Sequence, residues 1–147
     1  MDKPSIAVVG AGKVGSALAL LLNRQGYPVA GIASRSLTSA RRVADKLGVP
    51  ATVRPEEVTR EAGVVFITTP DRVISEVACR IAEKGGFLPG QVVFHTSGAH
   101  PADEVGAARS CGALAASLHP LQSFANVEMD CKRSEEHTSE LQSRPQL

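Results

Sequence analysis

A chain of 147 residues, 43% apolar and 21% charged, has the make-up of one globular domain with a single core. Sixteen basic against fifteen acidic side chains leave a formal net charge of +1, and four Phe, one Tyr and no Trp offer few stacking platforms, which together exclude a charge- or stacking-driven nucleic-acid binder. No apolar run approaches the roughly 18 residues of a membrane helix. Cys79, Cys111 and Cys131 form neither a CxxC pair nor a disulfide framework, so a reducing cytoplasm is the expected location and Cys79 and Cys111 are expected to serve packing.

From residue 5 to about 118, short β-branched runs alternate with segments of helical period. "SIAVV" (5–9) is a buried-strand pattern ending in glycine, and Lys13 closes the apolar stretch before it could serve as a secretion signal. Val14, Ala17, Leu18, Leu21 and Leu22 then recur at helical spacing until Gly26. "PVAGIA" (28–33) is a second strand, and Leu37, Ala40, Ala44 and Leu47 give the next helix one apolar face, closed by Gly48. "ATV" (51–53) is a short strand, "PEEVTREA" (55–62) a short helix and "VVFIT" (64–68) the most strand-like stretch of the chain. Thr69-Pro70-Asp71 opens a helix whose inner face is Ile74, Val77, Ala78 and Ile81. "QVVFHT" (91–96), "PADEVGAARS" (101–110) and "ALAASL" (113–118) read as strand, helix and strand. Near-continuous apolar strands alternating with helices predict an α/β fold, a Rossmann-type doubly wound and mainly parallel six-stranded sheet covered on both faces.

Gly10-Ala11-Gly12-Lys13-Val14-Gly15 is a GxGxxG pattern directly after the first strand and opening the first helix. In that setting Gly10 permits the tight turn, Gly12 lets the backbone approach a pyrophosphate, and Gly15 lets helix pack on sheet. Backbone N–H groups at the helix start hold the phosphate charge. After the second strand, where an NAD site places an acid on the ribose 2′-OH, the chain has Ser34-Arg35-Ser36. A guanidinium and two hydroxyls suit a 2′-phosphate, so NADP is preferred over NAD; Ser36 is also a natural helix N-cap. Arg41 and Arg42 read as solvated charges. Thr69 and Pro70, ending the fourth strand, suit contact with the cofactor's ribose or nicotinamide half, or equally an N-cap followed by proline at the first helical position.

His95, Ser97 and His100 cluster after the fifth strand, and His119-Pro120 follows the sixth. His119 is the candidate to exchange the proton that accompanies hydride transfer, with Ser97 orienting a carbonyl or hydroxyl. His95, inside an apolar strand, reads as a core histidine and His100 as a loop residue. No metal-ligand spacing stands out. Beyond Phe124 the pattern fails, and "RSEEHTSELQS" (133–143) resembles a translated sequencing adapter. The expected organisation is a dinucleotide-binding domain over 1–128 and an unstructured tail over 129–147, non-native from about residue 133.

With the glycine turn, "SRS", "TTPD", "HTSGAH" and "SLHPLQSF" in order, the chain resembles a family of provisionally named NADP oxidoreductases with a Rossmann-like N-terminal domain and a C-terminal helical domain. The wider superfamily is 6-phosphogluconate dehydrogenase-like, and members often carry a deazaflavin-dependent label. The resemblance covers residues 5 to about 128. It implies hydride transfer between NADP(H) and a small substrate and, from the prephenate dehydrogenases, reaction-site roles at His119 and Ser97. It also implies a C-terminal domain that completes the substrate pocket and a homodimer. That domain is absent here, so this chain is expected to be inactive alone. No residue supports a deazaflavin pocket. The alternative reading is a non-catalytic dinucleotide-binding sensor or scaffold.

Overall fold

The computed structural model describes residues 3–96 and 105–118. Its elements are β1 (Ile6–Val9), α1 (Lys13–Arg24), β2 (Val29–Ala33), α2 (Leu37–Leu47), β3 (Ala51–Thr52), α3 (Glu56–Thr59), β4 (Val64–Ile67), α4 (Ile74–Glu83), β5 (Val92–His95), α5 (Gly106–Ser110) and β6 (Leu114–Ser117). All six expected strands are present and every pairing is parallel. The strand order is β3-β2-β1-β4-β5-β6. The chain therefore winds outward through β1, β2 and β3, then starts again at the centre with β4 on the other side of β1. Val9 and Ile67, the last residues of β1 and β4, are register partners at this reversal.

Strand side chains alternate between two apolar layers, as the period of two requires. Ile6, Val8, Ile32 and Phe66 pack with Leu18 and Ala19 of α1 and Ala40, Val43 and Ala44 of α2. Ala7, Val9, Val65, Ile67 and Val93 pack with Val58, Ile74, Ala78, Ile81 and Ala108 on the α3, α4 and α5 side. Phe66 and Phe94, neighbours across β4 and β5, stack with ring centroids 5.3 Å apart. Toward the outer edge of the sheet Leu114 of β6 is 65% exposed, so the apolar cover thins there.

Glycines end the first two helices as expected. Gly26 (φ +93°) turns the chain toward β2, and Gly48 (φ +68°) is the left-handed cap of α2. Three expectations are corrected. The buried stripe of α1 is Gly15, Leu18 and Ala19, with Leu22 packed beside it, while Val14, Ala17 and Leu21 are only half-buried. Small residues let α1 lie closest to the sheet, and a count of large apolar side chains rotates the expected face away from them. The helix foreseen from Thr69-Pro70-Asp71 opens as a 3-10 turn over Asp71–Val73, with the Val73 N–H donating to the Pro70 carbonyl, and α4 itself begins at Ile74. Cys79, foreseen as a packing residue, is exposed on α4, whereas Cys111 does pack against the core. The first part of the helix foreseen over 101–110, His100 and the tail from 119 lie outside the described residues.

Gln91 is the polar element of the core. It is 4% exposed, and its amide makes three hydrogen bonds to backbone. Oε1 accepts from the Leu88 N–H at 2.8 Å, and Nε2 donates to the Thr59 and Ala62 carbonyls at 2.6 and 2.7 Å. This ties the end of α3 to the entrance of β5. Replacement Gln91→Leu keeps the volume but takes a partner from three backbone groups, of which the Thr59 carbonyl still accepts from the Ala62 N–H. A loss of about 2–4 kcal/mol in urea unfolding is expected, and a loss under about 0.5 kcal/mol would contradict it.

Candidate functional site

The carboxyl edge of the sheet at the β1–β4 reversal gathers most of the described residues that the sequence singles out. The turn from Gly10 to Gly15 leaves β1 there and becomes α1. Each of its glycines has a different physical reason. Gly10 adopts φ +110°, closed to other side chains, and a Cβ on it would lie 2.8 Å from Thr68 Oγ1 and 2.9 Å from the Thr68 carbonyl carbon. Gly15 has ordinary helical backbone, but a Cβ there would lie 2.0 Å from the Gly10 carbonyl oxygen. Gly12 has neither constraint. Its φ is −78°, and nothing lies within 4 Å of the position a Cβ would take. Nothing in the protein's own packing asks for glycine at position 12; what its missing side chain leaves is room above the backbone.

That room lies at the start of α1. Gly12 is the N-cap and offers no side-chain oxygen, and the first turn holds no acid. The first intrahelical bond runs from the Ser16 N–H to the Gly12 carbonyl, so the Lys13, Val14 and Gly15 N–H groups have no acceptor within the helix. The Ala11 N–H, too, donates to no described residue. Open space beside unpaired donors at the positive end of a helix dipole is suited to an anion. Helix α2 differs: Ser36 caps it, accepting from the Ser39 N–H at 3.3 Å.

Ser34, Arg35 and Ser36 follow β2 on the same edge. Ser34 is half-buried, with its N–H donating to the Thr52 carbonyl at 3.1 Å, while Arg35 and Ser36 are exposed. The Arg35 guanidinium makes no ion pair among the described residues and is at liberty to meet a solvent-borne anion.

At the end of β4 the structure separates two neighbouring threonines. Thr68 turns to the glycine turn, its Oγ1 donating to the Gly10 carbonyl at 2.8 Å with a longer approach of 3.2 Å to the Val9 carbonyl. Thr69 keeps a buried Oγ1 with no hydrogen-bond partner among the described residues. It is not a helix cap, since α4 is capped at Val73 without any side-chain bond. An orphaned hydroxyl costs roughly 1–3 kcal/mol unless something else meets it. Pro70, beside it, is exposed. Thr68 was not among the residues that sequence reasoning selected; the signal available was a second hydroxyl one residue nearer to the strand.

His95 is fully buried in β5, consistent with the core reading. Thr96 and Leu118 are the last described residues after β5 and β6. The Thr96 N–H donates to the Ile67 carbonyl at 3.3 Å and the Leu118 N–H to the His95 carbonyl at 2.8 Å. Ser97 and His119 follow them directly in sequence and lie outside the described residues. Among the described residues no group of three or more His, Cys, Asp or Glu could hold a metal, and no helix is long and apolar enough to cross a membrane.

Comparison with known proteins bears on this arrangement. A Rossmann-like domain model matches residues 2–120. Among solved structures the chain is similar to a provisionally assigned NADP oxidoreductase from Bacteroides fragilis, at 29% identity and TM-score 0.63 over 69% of this chain and 38% of that one. It is also similar to a semialdehyde dehydrogenase NAD-binding protein from Cupriavidus necator in complex with calcium and NAD, at 32% identity and TM-score 0.53 over 65% of this chain and 33% of that one. The UDP-N-acetylglucosamine 3-dehydrogenase of Acidithiobacillus ferrooxidans shares the fold, at 20% identity and TM-score 0.63 over 86% of this chain and 43% of that one. The chain thus spans between a third and just over two-fifths of the length of these relatives. No protein of curated function matches it. A parallel sheet in the order β3-β2-β1-β4-β5-β6, a glycine turn at its reversal and a domain match across four-fifths of its length agree: the chain belongs to the family of Rossmann-like domains.

Proposed function

We infer that the chain binds NADP at the β1–β4 reversal and is the cofactor half of an oxidoreductase that passes hydride between NADP(H) and a small molecule. The observation that carries this reading is the empty volume over Gly12. Gly10 and Gly15 are explained by backbone and packing, whereas Gly12, the N-cap of α1, leaves the backbone open to close approach by a ligand. The Ala11 N–H and the first N–H groups of α1 would bind the pyrophosphate through Gly10, Ala11, Gly12, Lys13, Val14 and Gly15. The orphaned Thr69 hydroxyl, with Pro70 shaping the chain beside it, would meet the ribose or nicotinamide half. The cofactor, when bound, supplies the hydride donor or acceptor at its nicotinamide ring. The relatives named for NADP and NAD support a nicotinamide dinucleotide of either kind.

The preference for NADP rests on Ser34, Arg35 and Ser36. No carboxylate directly follows β2 to accept from a ribose 2′-OH or to repel a 2′-phosphate, and the exposed Arg35, without an ion pair among the described residues, can pair with that phosphate in two-pronged fashion. The Ser36 hydroxyl accepts from the Ser39 N–H and still has a proton to donate. His119 is proposed as the group that exchanges the reaction proton, and Ser97 as the one that orients the substrate carbonyl or hydroxyl. The resemblance assigns the substrate pocket and the dimer contacts to a further helical domain.

Three measurements test this reading. Gly12→Ala should fold with a stability loss of no more than about 1 kcal/mol yet lose NADPH binding at least tenfold, while Gly15→Ala should lose about 3 kcal/mol or more through its clash with Gly10; equal effects on folding would remove the distinction between the two. Fluorescence titration should show NADPH bound more tightly than NADH, and Arg35→Ala should weaken NADPH about tenfold while leaving NADH within twofold. Equal binding of the two cofactors by the parent chain would end the case for NADP. In an intact enzyme containing this domain, His119→Asn should cut turnover at least a hundredfold with cofactor affinity unchanged; full turnover would remove His119 from the reaction.

A further inference from the structure

We propose that Thr68 is a positioning residue for the phosphate-binding turn, fixing the Gly10–Ala11 peptide in the one orientation that presents the Ala11 N–H to a diphosphate. The inference rests on the dinucleotide-binding reading and deepens it. Glycine at position 10 makes the turn possible, but glycine also leaves the peptide that follows it poorly determined. The structure holds the peptide before Gly10 through its N–H and the peptide after it through its carbonyl. The Gly10 N–H donates to the Ala33 carbonyl of β2 at 2.7 Å, and the Gly10 carbonyl accepts from the Thr68 hydroxyl at the end of β4 at 2.8 Å. Gly15 packs directly behind the same carbonyl, close enough that a Cβ would touch both its oxygen, at 2.0 Å, and Thr68 Oγ1, at 2.5 Å.

The peptide geometry supplies the next step. There is no cis peptide among the described residues, and in a trans peptide the carbonyl and the following N–H point in opposite directions. A Gly10 carbonyl drawn toward Thr68 therefore turns the Ala11 N–H away from β4, leaving it as a donor that no described residue uses. Thr68 touches no reacting group. It acts through Gly10, on the direction of a backbone donor. A side chain without a hydroxyl at this position would leave the carbonyl unmet and the peptide able to rotate on its glycine. Hydrogen-bond directionality in an anion site is worth having only if the donors are set before the ligand arrives.

Thr68→Ala and Thr68→Ser differ by one oxygen and separate the hydroxyl from the rest of the side chain. In the full chain, Thr68→Ala should weaken NADPH and ADP, both carrying a diphosphate, about five- to tenfold, the factor that one hydrogen bond of ordinary net strength represents. Adenosine 2′-monophosphate, which has no diphosphate, should bind within twofold of the parent. Thr68→Ser should restore NADPH and ADP affinity to within twofold. In amide-resolved NMR the Ala11 signal of free Thr68→Ala should move while signals in β3 and α3 stay in place, which also shows that the variant is folded. Equal NADPH affinity in the parent and Thr68→Ala, or equal losses in Thr68→Ala and Thr68→Ser, would overturn the role of Thr68 alone. A matching loss for adenosine 2′-monophosphate would make Thr68 a merely structural residue and overturn it too. A parent chain that binds neither NADPH nor ADP would instead overturn the cofactor reading beneath it.

Discussion

One peptide group, between Gly10 and Ala11, holds the functional edge of this domain together. Its carbonyl is drawn to β4 by Thr68, while the N–H of the preceding Val9–Gly10 peptide ties the turn to the Ala33 carbonyl of β2. Helix α1 closes over it only because Gly15 has no side chain to collide with that carbonyl. Pull any of the three away and the helix start no longer faces the crevice. The anion-binding character of the site thus comes less from charge than from a tightly determined backbone direction. The first turn of α1 holds no acid, and Lys13 is the one ionisable side chain between Gly10 and Gly15.

The sheet order explains why the crevice exists at all. Because β2 and β3 lie on one side of β1 and β4, β5 and β6 on the other, the connections that leave β1 and β4 diverge to opposite faces. Helices α1 and α2 cover one layer, and α3, α4 and α5 the other. At the reversal the two departing chains separate and leave backbone groups uncovered by either layer, the general location of ligand sites in open α/β sheets. The same divergence brings Thr68 and Thr69 beside the turn, one facing inward to hold it and one left with an unmet hydroxyl.

Much of this was legible in the residues. Periodicity located every strand, most clearly β1 and β4, whose apolar runs have no polar interruption to confuse them. The glycine motif was legible for the same reason that it works, as local backbone demands written in local sequence. What escaped was set by contacts distant in sequence. The face of α1 was misjudged because close approach is signalled by Gly15 and Ala19, which hydrophobicity undervalues. Thr69 and its neighbours suit a cofactor contact and a helix cap equally, and only the 3-10 turn over Asp71–Val73 separates the helix start from Thr69. Thr68 could not be chosen over Thr69 without knowing which one faces residue 10. The exposure of Arg35 follows from its place just beyond the end of β2.

The bond from Thr68 to Gly10 spans 58 residues, and that separation has a consequence in time. A chain growing at about 5–20 residues per second must wait roughly 3–12 s after its glycine turn has been made before the strand that completes it is made. Until then β1, destined for the centre of the sheet, has a partner on one side only, and an incomplete parallel edge is open to wrong pairing. The glycine turn is therefore synthesised well before the strand that completes it and cannot be finished until β4 arrives. During that interval the turn is a sequence without a shape.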